Sequence, residues 1–315
     1  MFYFLICFTF VEDFNNVKME TLLKIDTISQ YNARMGVETL HPLVSVIDFS
    51  KVKPIPGSRN QFGFYCVFLK EVKCGDLKYG CNYYDYEEGT MVYIAPGQVL
   101  GIYKEELVQP KGWALLFHPD LIRGTTLGHS MKDYTFFSYE VNEALHLSER
   151  ERENVIDCLK KIDYELKQAI DKHSKTLITN NIELLLNYCV RFYDRQFVTR
   201  NHVNKDILVK FEGFLDDYFN SEKTQTLGLP TVKYCADNLN LSANYLGDLI
   251  KKETGRSPLE HIQWKVIELA KEKIFDTSKS VSTIAYELGF KYPQHFSRMF
   301  KNETGHSPNE YRMMN

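Results

Sequence analysis

The last third of this 315-residue chain contains one sequence pattern twice, and this repeat limits the possible folds more than any other feature. Residues 251–258 read KKETGRSP and residues 301–308 read KNETGHSP. Upstream, residues 232–241 (VKYCADNLNL) match residues 281–290 (VSTIAYELGF), with an offset one residue shorter. The extra residue falls around residues 291–293, where a turn tolerates an insertion. Such repetition predicts two copies of one structural unit.

Each copy has the pattern of a helix-turn-helix, in which a short helix is crossed closely by a second, recognition helix. A small residue in the first helix permits the close crossing, and the two copies supply Ala236 and Ala285. Ser242 is suited to N-cap the first recognition helix, and Pro293 is suited to the first turn of the second. Both copies therefore predict the same pair of helices.

The end of each copy predicts that one helix stops and another begins. Gly255 and Gly305 stand where a helix C-terminus needs a left-handed residue. Residues 257–260 (SPLE) and 307–310 (SPNE) then form capping boxes with proline at the first helical position. The same stop and restart is thus encoded twice.

On these repeated motifs, residues 205–315 resemble the DNA-binding domain of the AraC/XylS family of bacterial transcription regulators. The resemblance implies an all-α domain with two helix-turn-helix units, at about residues 231–255 and 281–305. In that family a linker helix, here roughly residues 259–275, joins the units. It presents both recognition helices to successive major-groove segments of double-stranded DNA.

Two sets of residues are expected to face DNA by their position in the repeat. They are Ser242, Ala243, Asn244, Tyr245, Gly247, Asp248, Lys251 and Lys252 in the first unit, and Gln294, His295, Ser297, Arg298 and Lys301 in the second. Arg298 is the best base reader because its guanidinium matches guanine O6 and N7, and Gln294 and Asn244 suit adenine. The lysines suit phosphates. Asp248 would repel phosphate, so the first unit is expected to position the domain more than to read sequence.

The charge of this region is balanced, with 15 Lys and Arg against 15 Asp and Glu in residues 205–315, and the whole chain carries a net charge of −3. Affinity for DNA therefore has to come from a local patch and not from the overall field. A helical protein-interaction domain is the alternative. The outward Lys, Arg, Gln and Asn side chains favour DNA.

Residues 40–140 have a different pattern, with short β-branched or aromatic runs between Gly and Pro turns. Such runs occupy residues 44–49, 62–69 and 91–94, and they predict an antiparallel β barrel or sandwich. Residues 89–98 (GTMVYIAPGQ) resemble the second cupin motif, a strand that runs into a Pro-Gly turn. Many regulators of the AraC/XylS family carry a cupin-like barrel here as an effector-binding and dimerisation domain.

The cupin resemblance implies an unidentified small-molecule effector and not a metal-dependent reaction. Cupin enzymes follow the turn with a metal-binding histidine, whereas this chain has Leu100. We expect no cofactor, no metal and no catalytic residue. Aromatic side chains suited to an effector pocket are Phe64, Tyr83, Tyr93 and Trp113. The same four residues equally suit the core of a barrel.

Residues 143–193 predict two amphipathic helices appended to the barrel. Ser148 and Glu151 form a capping box at the start of the first helix. The apolar stripes are Val155, Leu159, Ile162, Leu166 and Ile170 in the first helix, and Ile178, Ile182, Leu185, Cys189 and Phe192 in the second. Such stripes have to be buried on the barrel or on a second subunit. We favour the second subunit, which predicts a homodimer.

The predicted organisation is therefore multidomain. Residues 19–195 form the effector-binding and dimerisation domain, residues 196–204 a polar linker, and residues 205–315 the DNA-binding domain. Residues 1–18 are interpreted as a non-native extension, because Met19 precedes a more typical soluble start and the apolar run before it is too short to cross a bilayer.

Seven cysteines form an odd set without zinc-ligand spacing, which favours reduced thiols, although Cys66, Cys74 and Cys81 leave a soft-metal or redox site as an alternative. We expect a cytoplasmic, nucleoid-associated regulator that is not an enzyme. Its partners would be promoter or operator DNA and RNA polymerase, and no membrane. The alternatives are a constitutive regulator whose barrel only dimerises, and a cupin-type enzyme fused to a DNA anchor.

Overall fold

The computed structural model describes residues 22–56, 58–71, 89–102, 109–139, 143–199 and 201–314. The chain divides by its internal contacts into two units. The amino-terminal unit runs to Phe137 and includes residues 144–190, and the carboxy-terminal unit comprises residues 138–143 and the chain from Arg191 onward. The proposed extension at residues 1–18, Tyr83, Cys74 and Cys81 lie outside the described residues.

The amino-terminal unit contains two β-sheets. Its strands are β1 (Leu22–Ile25), β2 (Val44–Asp48), β3 (Ser58–Phe62), β4 (Tyr65–Lys70), β5 (Thr90–Ile94), β6 (Val99–Ile102), β7 (Gly112–Phe117) and β8 (Leu145–His146). One sheet has the order β1-β3-β6 and the other β2-β7-β4-β5-β8. Strand β5 (TMVYI) is buried along its whole length, as a strand covered on both faces should be.

The prediction of an antiparallel barrel needs correction at β1. The pairs within the five-stranded sheet and the β3–β6 pair are antiparallel, but β1 pairs with β3 in parallel, with Leu22 opposite Arg59 and Ile25 opposite Phe62. A parallel pair requires a long crossover connection. Helix α1 (Ile28–Met35) and strand β2 lie between the two strands in sequence and supply that length.

Helices follow the sheets. The short helices are α2 (Pro119–Ile122) and α3 (Thr126–Ser130), with 3-10 turns at Phe49–Lys51, Met131–Asp133 and Thr135–Ser138, and the long helices are α4 (Glu149–Leu166) and α5 (Ser174–Thr199). The capping box of Ser148 and Glu151 at the start of α4 is confirmed.

The apolar stripes of α4 and α5 are buried inside the chain, except for Ile170, which lies beyond the end of α4 and is 72% exposed. This burial contradicts our preference for a dimer contact through the stripes. Ile162, Ile182 and Leu185 are completely buried. Helix α4 contacts β2 and β7, and Cys189 Sγ of α5 lies 4.0 Å from Met91 Sδ of β5. Any contact with a second subunit has to use other residues.

The carboxy-terminal unit is helical. Beyond the end of α5 it contains α6 (Asn201–Phe219), α7 (Lys223–Leu227), α8 (Val232–Asn238), α9 (Ala243–Thr254), α10 (Pro258–Ile274), α11 (Val281–Glu287), α12 (Pro293–Thr304) and α13 (Pro308–Arg312). The predicted linker at residues 196–204 is helical up to Thr199 and again from Asn201, and the division between the units falls earlier, between Val190 and Arg191. Polar composition alone misplaced that boundary.

Two further observations concern the described residues only. None of their helices combines the length and the apolar character needed to cross a bilayer.

Cys66 lies fully buried in β4, and this burial raises the pKa of its thiol well above the usual value. A buried thiol is poorly suited to redox chemistry.

Candidate nucleic-acid interface

The turns of the two helix-turn-helix units begin in the same way, although the second turn is one residue longer. Asn240 and Gly289 occupy equivalent positions and both have a positive φ, 56° and 93°. Asparagine and glycine are the residues that adopt this left-handed conformation most readily. In each unit the backbone N–H of the very next residue closes the turn by donating to the carbonyl oxygen of the small residue in the first helix. These bonds run from Leu241 N–H to Ala236 O (3.0 Å) and from Phe290 N–H to Ala285 O (2.9 Å).

The ends of both recognition helices, α9 and α12, agree with the sequence prediction. Gly255 and Gly305 terminate them in the left-handed conformation, with φ of 76° and 80°. Ser242 N-caps α9 by accepting a hydrogen bond from the backbone N–H of Tyr245. The two predicted capping boxes form at the N-termini of α10 and α13, and each helix has proline in its first turn.

Helix α12 has one buried face and one exposed face. Phe296 and Phe300 are completely buried in the core of the second helix-turn-helix unit. Gln294, Arg298 and Lys301 are exposed, and steps of four and three residues place them in one stripe along the helix. His295 is exposed beside this stripe and Ser297 is half-buried. The stripe is a polar, cationic face on a helix that its own core holds in place.

Helix α9 has an equivalent stripe, displaced by 50 positions: Asn244, Asp248 and Lys251. Asn244 and Lys251 are exposed, whereas Asp248 is half-buried, as are Ala243 and Gly247. Asp248 Oδ2 accepts a hydrogen bond from the Tyr139 hydroxyl at 2.5 Å. In the repeat, Asp248 is therefore the equivalent of Arg298. It carries the opposite charge and is hydrogen-bonded to Tyr139.

The prediction that Tyr245 faces DNA is wrong for this structure. Tyr245 is only 6% exposed. Its ring lies 5.3 Å from the ring of Tyr139 and 5.3 Å from that of Phe197. The equivalent residue of the second unit, His295, is exposed. Two aromatic rings from outside the first helix-turn-helix unit therefore cover Tyr245.

Two further polar groups of the first unit have internal partners. The backbone N–H and the hydroxyl of Ser242 donate to the two carboxylate oxygens of Glu143, each at 2.6 Å. Lys252 Nζ donates to Asp194 Oδ1 at 2.5 Å in an exposed ion pair. Exposed pairs of this kind contribute little stability, so Lys252 remains accessible to a phosphate.

Residues 235–314 match a family model described as a helix-turn-helix domain. These residues are an AraC/XylS-type domain. Among curated relatives, the lactose operon transcription activator of Staphylococcus xylosus is 27% identical over 150 residues, which cover 46% of this chain and 53% of that protein. The uncharacterized transcriptional regulatory protein YesN of Bacillus subtilis is 40% identical over 91 residues, covering 27% and 25%. The chain thus matches about half of the first relative and a quarter of the second.

A solved structure similar to this chain is the C-terminal domain of AraT, a response regulator from Geobacillus stearothermophilus. It is 28% identical, and the match covers 35% of this chain and 85% of that one, with a TM-score of 0.31.

Of the predicted pocket residues that the structure describes, Phe64 and Tyr93 do not line the cavity that Trp113 lines. Phe64 is completely buried against Tyr31 and Phe62, and Tyr93 is buried against Phe136 and Phe137. Both therefore form part of an aromatic core, in which ring pairs add to the stability gained from burial. Trp113 is different. It is half-buried and lines a cavity of about 400 Å³.

Proposed function

We propose that this chain is a sequence-specific regulator of transcription that binds double-stranded DNA. The exposed stripe of Gln294, Arg298 and Lys301 on α12 carries the proposal, because it combines base-reading and phosphate-binding side chains on a rigid helix. The AraC-type domain and its similarity to transcription regulators support it. Contact with RNA polymerase stays a prediction.

A gel-shift assay of the full chain against a library of genomic fragments tests this function. The chain should retain a subset of fragments at low salt, and retention should persist against an excess of random competitor DNA. Failure to retain any fragment at low salt would contradict the proposal, because non-specific phosphate contacts alone support binding under those conditions.

We also propose that the cavity at Trp113 binds a small-molecule effector of about the size of a sugar. The indole lies beside the apolar strand residues Val46 and Ile47, while Lys51 and Lys167 supply polar groups at the same cavity. An aromatic wall with polar neighbours suits a sugar ring. One of the relatives is the activator of a lactose operon, so sugars are the first ligand class to test.

Thermal-shift measurements with a panel of mono- and disaccharides test this site. A sugar present at 100 times its dissociation constant should stabilise the amino-terminal unit by about 2.7 kcal/mol. Trp113→Ala should remove the shift. The second tryptophan of the chain, Trp264, is half exposed on α10, so Trp264→Ala is the matched control and should retain it. A shift that survives Trp113→Ala, or no shift with any sugar, would contradict this site.

We propose a homodimer that uses the outer surface of α4 and α5. Leu177, Leu184 and Tyr164 are exposed there, at 44%, 41% and 63%. A groove of about 500 Å³ beside them is lined by Tyr164 and Asn181 together with Asp157, Lys160, Lys161 and Glu165. Because the patch carries both charges, a two-fold related copy presents a complementary surface.

Sedimentation of the full chain tests the dimer. Leu184→Glu should convert it to a monomer, because the substitution places a carboxylate in an apolar contact. Val209→Glu changes a more exposed apolar residue, on α6, and should leave the dimer intact. A monomeric wild-type chain, or a dimer unaffected by Leu184→Glu, would exclude this surface.

A further inference from the structure

The first recognition helix, α9, is held by two side chains from outside the helix-turn-helix units. They are Tyr139 and Glu143, which we call the clasp. Both belong to the carboxy-terminal unit by their contacts, although Phe137 and Ala144 on either side of them in sequence belong to the amino-terminal unit. Tyr139 is 9% exposed and Glu143 is 4% exposed.

Glu143 binds the N-terminus of α9 with both of its carboxylate oxygens. Oε1 accepts from the backbone N–H of Ser242 and Oε2 from its hydroxyl, each at 2.6 Å. The N-terminus of a helix carries a partial positive charge, and its N–H groups are common binding sites for phosphate. The Glu143 carboxylate therefore occupies donors that a DNA phosphate would use.

Tyr139 covers the middle of the same helix. Its hydroxyl donates to Asp248 at 2.5 Å, and its ring packs edge-on against Tyr245, with an interplanar angle of 86°. The ring of Tyr139 makes a second edge-on contact, with the ring of Tyr193. Since Asp248 stands where the second unit has Arg298, the hydroxyl of Tyr139 lies on the face that would enter the major groove.

Among the residues that the structure describes, none covers the second recognition helix, α12, in this way. Gln294, Arg298 and Lys301 make no hydrogen bond or ion pair with any residue that the structure describes, and all three are exposed. The N-cap residue of α12, Tyr292, makes no capping side-chain bond. The two helix-turn-helix units share a fold, but Tyr139 and Glu143 contact the DNA-facing surface of the first unit only, among the described residues.

We propose that the clasp is an internal competitor of DNA for the first helix-turn-helix unit. This inference rests on the proposed function. With Tyr139 and Glu143 in place, the chain binds DNA through α12 alone, and release of the clasp adds α9 to the contact. Because the clasp is joined in sequence to the amino-terminal unit on both sides, a change in that unit reaches it through the backbone.

A binding experiment with the full chain tests the clasp. The probe is a labelled duplex of about 30 base pairs, long enough for two major-groove contacts one turn apart. It is selected from a random pool by the Tyr139→Phe, Glu143→Gln chain. That variant should bind the probe about tenfold more tightly than the wild type, equivalent to about 1.4 kcal/mol. Its hydroxyl-radical footprint should be longer by about one helical turn of DNA.

Two further variants serve as an independent test and as a control. Asp248→Ala removes the partner of Tyr139 without touching the clasp, and it should also tighten binding and lengthen the footprint. Glu153→Gln makes the same charge change as Glu143→Gln at an exposed position on α4 and should behave as the wild type.

The outcomes separate the clasp from the proposed function. Equal affinity and equal footprints for the wild type and both the clasp and Asp248 variants would overturn the clasp while leaving DNA binding in place. Weaker binding by Asp248→Ala would overturn it as well. If neither the wild type nor any variant binds DNA, the proposed function fails and the clasp fails with it.

Discussion

The Arg298→Ala chain should lose its preference at one base pair of its binding site while it keeps most of its non-specific affinity for DNA. Arg298 is exposed at the centre of the α12 stripe, four residues after Gln294 and three before Lys301. Its guanidinium can bond both O6 and N7 of a guanine, a contact that discriminates against other bases by about 1–3 kcal/mol. That energy corresponds to about 5- to 150-fold in affinity.

Competition binding against duplexes with single base-pair changes measures this effect. For the wild type, one guanine position should be intolerant to change, and for Arg298→Ala the same position should become neutral. Lys301→Ala is the matched control, because loss of a phosphate contact should weaken binding to all duplexes alike. An unchanged base preference in Arg298→Ala would show that another residue reads that position.

Phe296→Ala should destabilise the second helix-turn-helix unit by about 3–5 kcal/mol, the usual cost of truncating a fully buried phenylalanine. Phe296 is completely buried, and its ring lies 5.3 Å from Phe290 and 5.7 Å from Phe300. These contacts fix the inner face of α12 and so orient the exposed stripe. The variant should therefore lose DNA binding even though no DNA-facing residue has changed.

Urea unfolding followed by circular dichroism measures the loss of stability. Because the chain has two units, the transition of the carboxy-terminal unit has to be analysed separately. Ser297→Ala, at the half-buried next position, should shift that transition by less than about 0.5 kcal/mol. A midpoint for Phe296→Ala close to that of Ser297→Ala would show that α12 is held by something other than this core.

The repeat region could be predicted well because its signals are local. The prolines, serines and glycines that start and stop α9, α10, α12 and α13 act within one turn of the chain. Gly255 and Gly305 adopt the expected left-handed conformation, and the Ser257 and Ser307 capping boxes form as expected. The exposed face of α12 followed from the same spacing, since Phe296 and Phe300 are buried opposite it.

The parts that sequence reasoning missed depend on contacts between distant residues. Tyr139 is 109 positions from Asp248, and Glu143 is 99 positions from Ser242. No local pattern links these pairs. Tyr245 has the spacing of an exposed residue, but the rings of Tyr139 and Phe197 pack against it.

Two errors in the amino-terminal unit have the same origin. Apart from Ile170, the predicted apolar stripes of α4 and α5 are buried faces, but periodicity does not reveal whether a sheet or a second subunit covers them. The parallel pairing of β1 with β3 is likewise set by the path of the chain between them and not by either strand's composition.

Selection from a random duplex pool by the full-length chain tests most directly whether α12 reads DNA. The wild type should enrich one motif that contains a guanine position sensitive to Arg298→Ala. A chain carrying Gln294→Ala, Arg298→Ala and Lys301→Ala together should enrich none, although Phe296 and Phe300 still hold its fold. Enrichment of the same motif by that triple variant would contradict the account, and so would the absence of any enriched motif with the wild type at low salt.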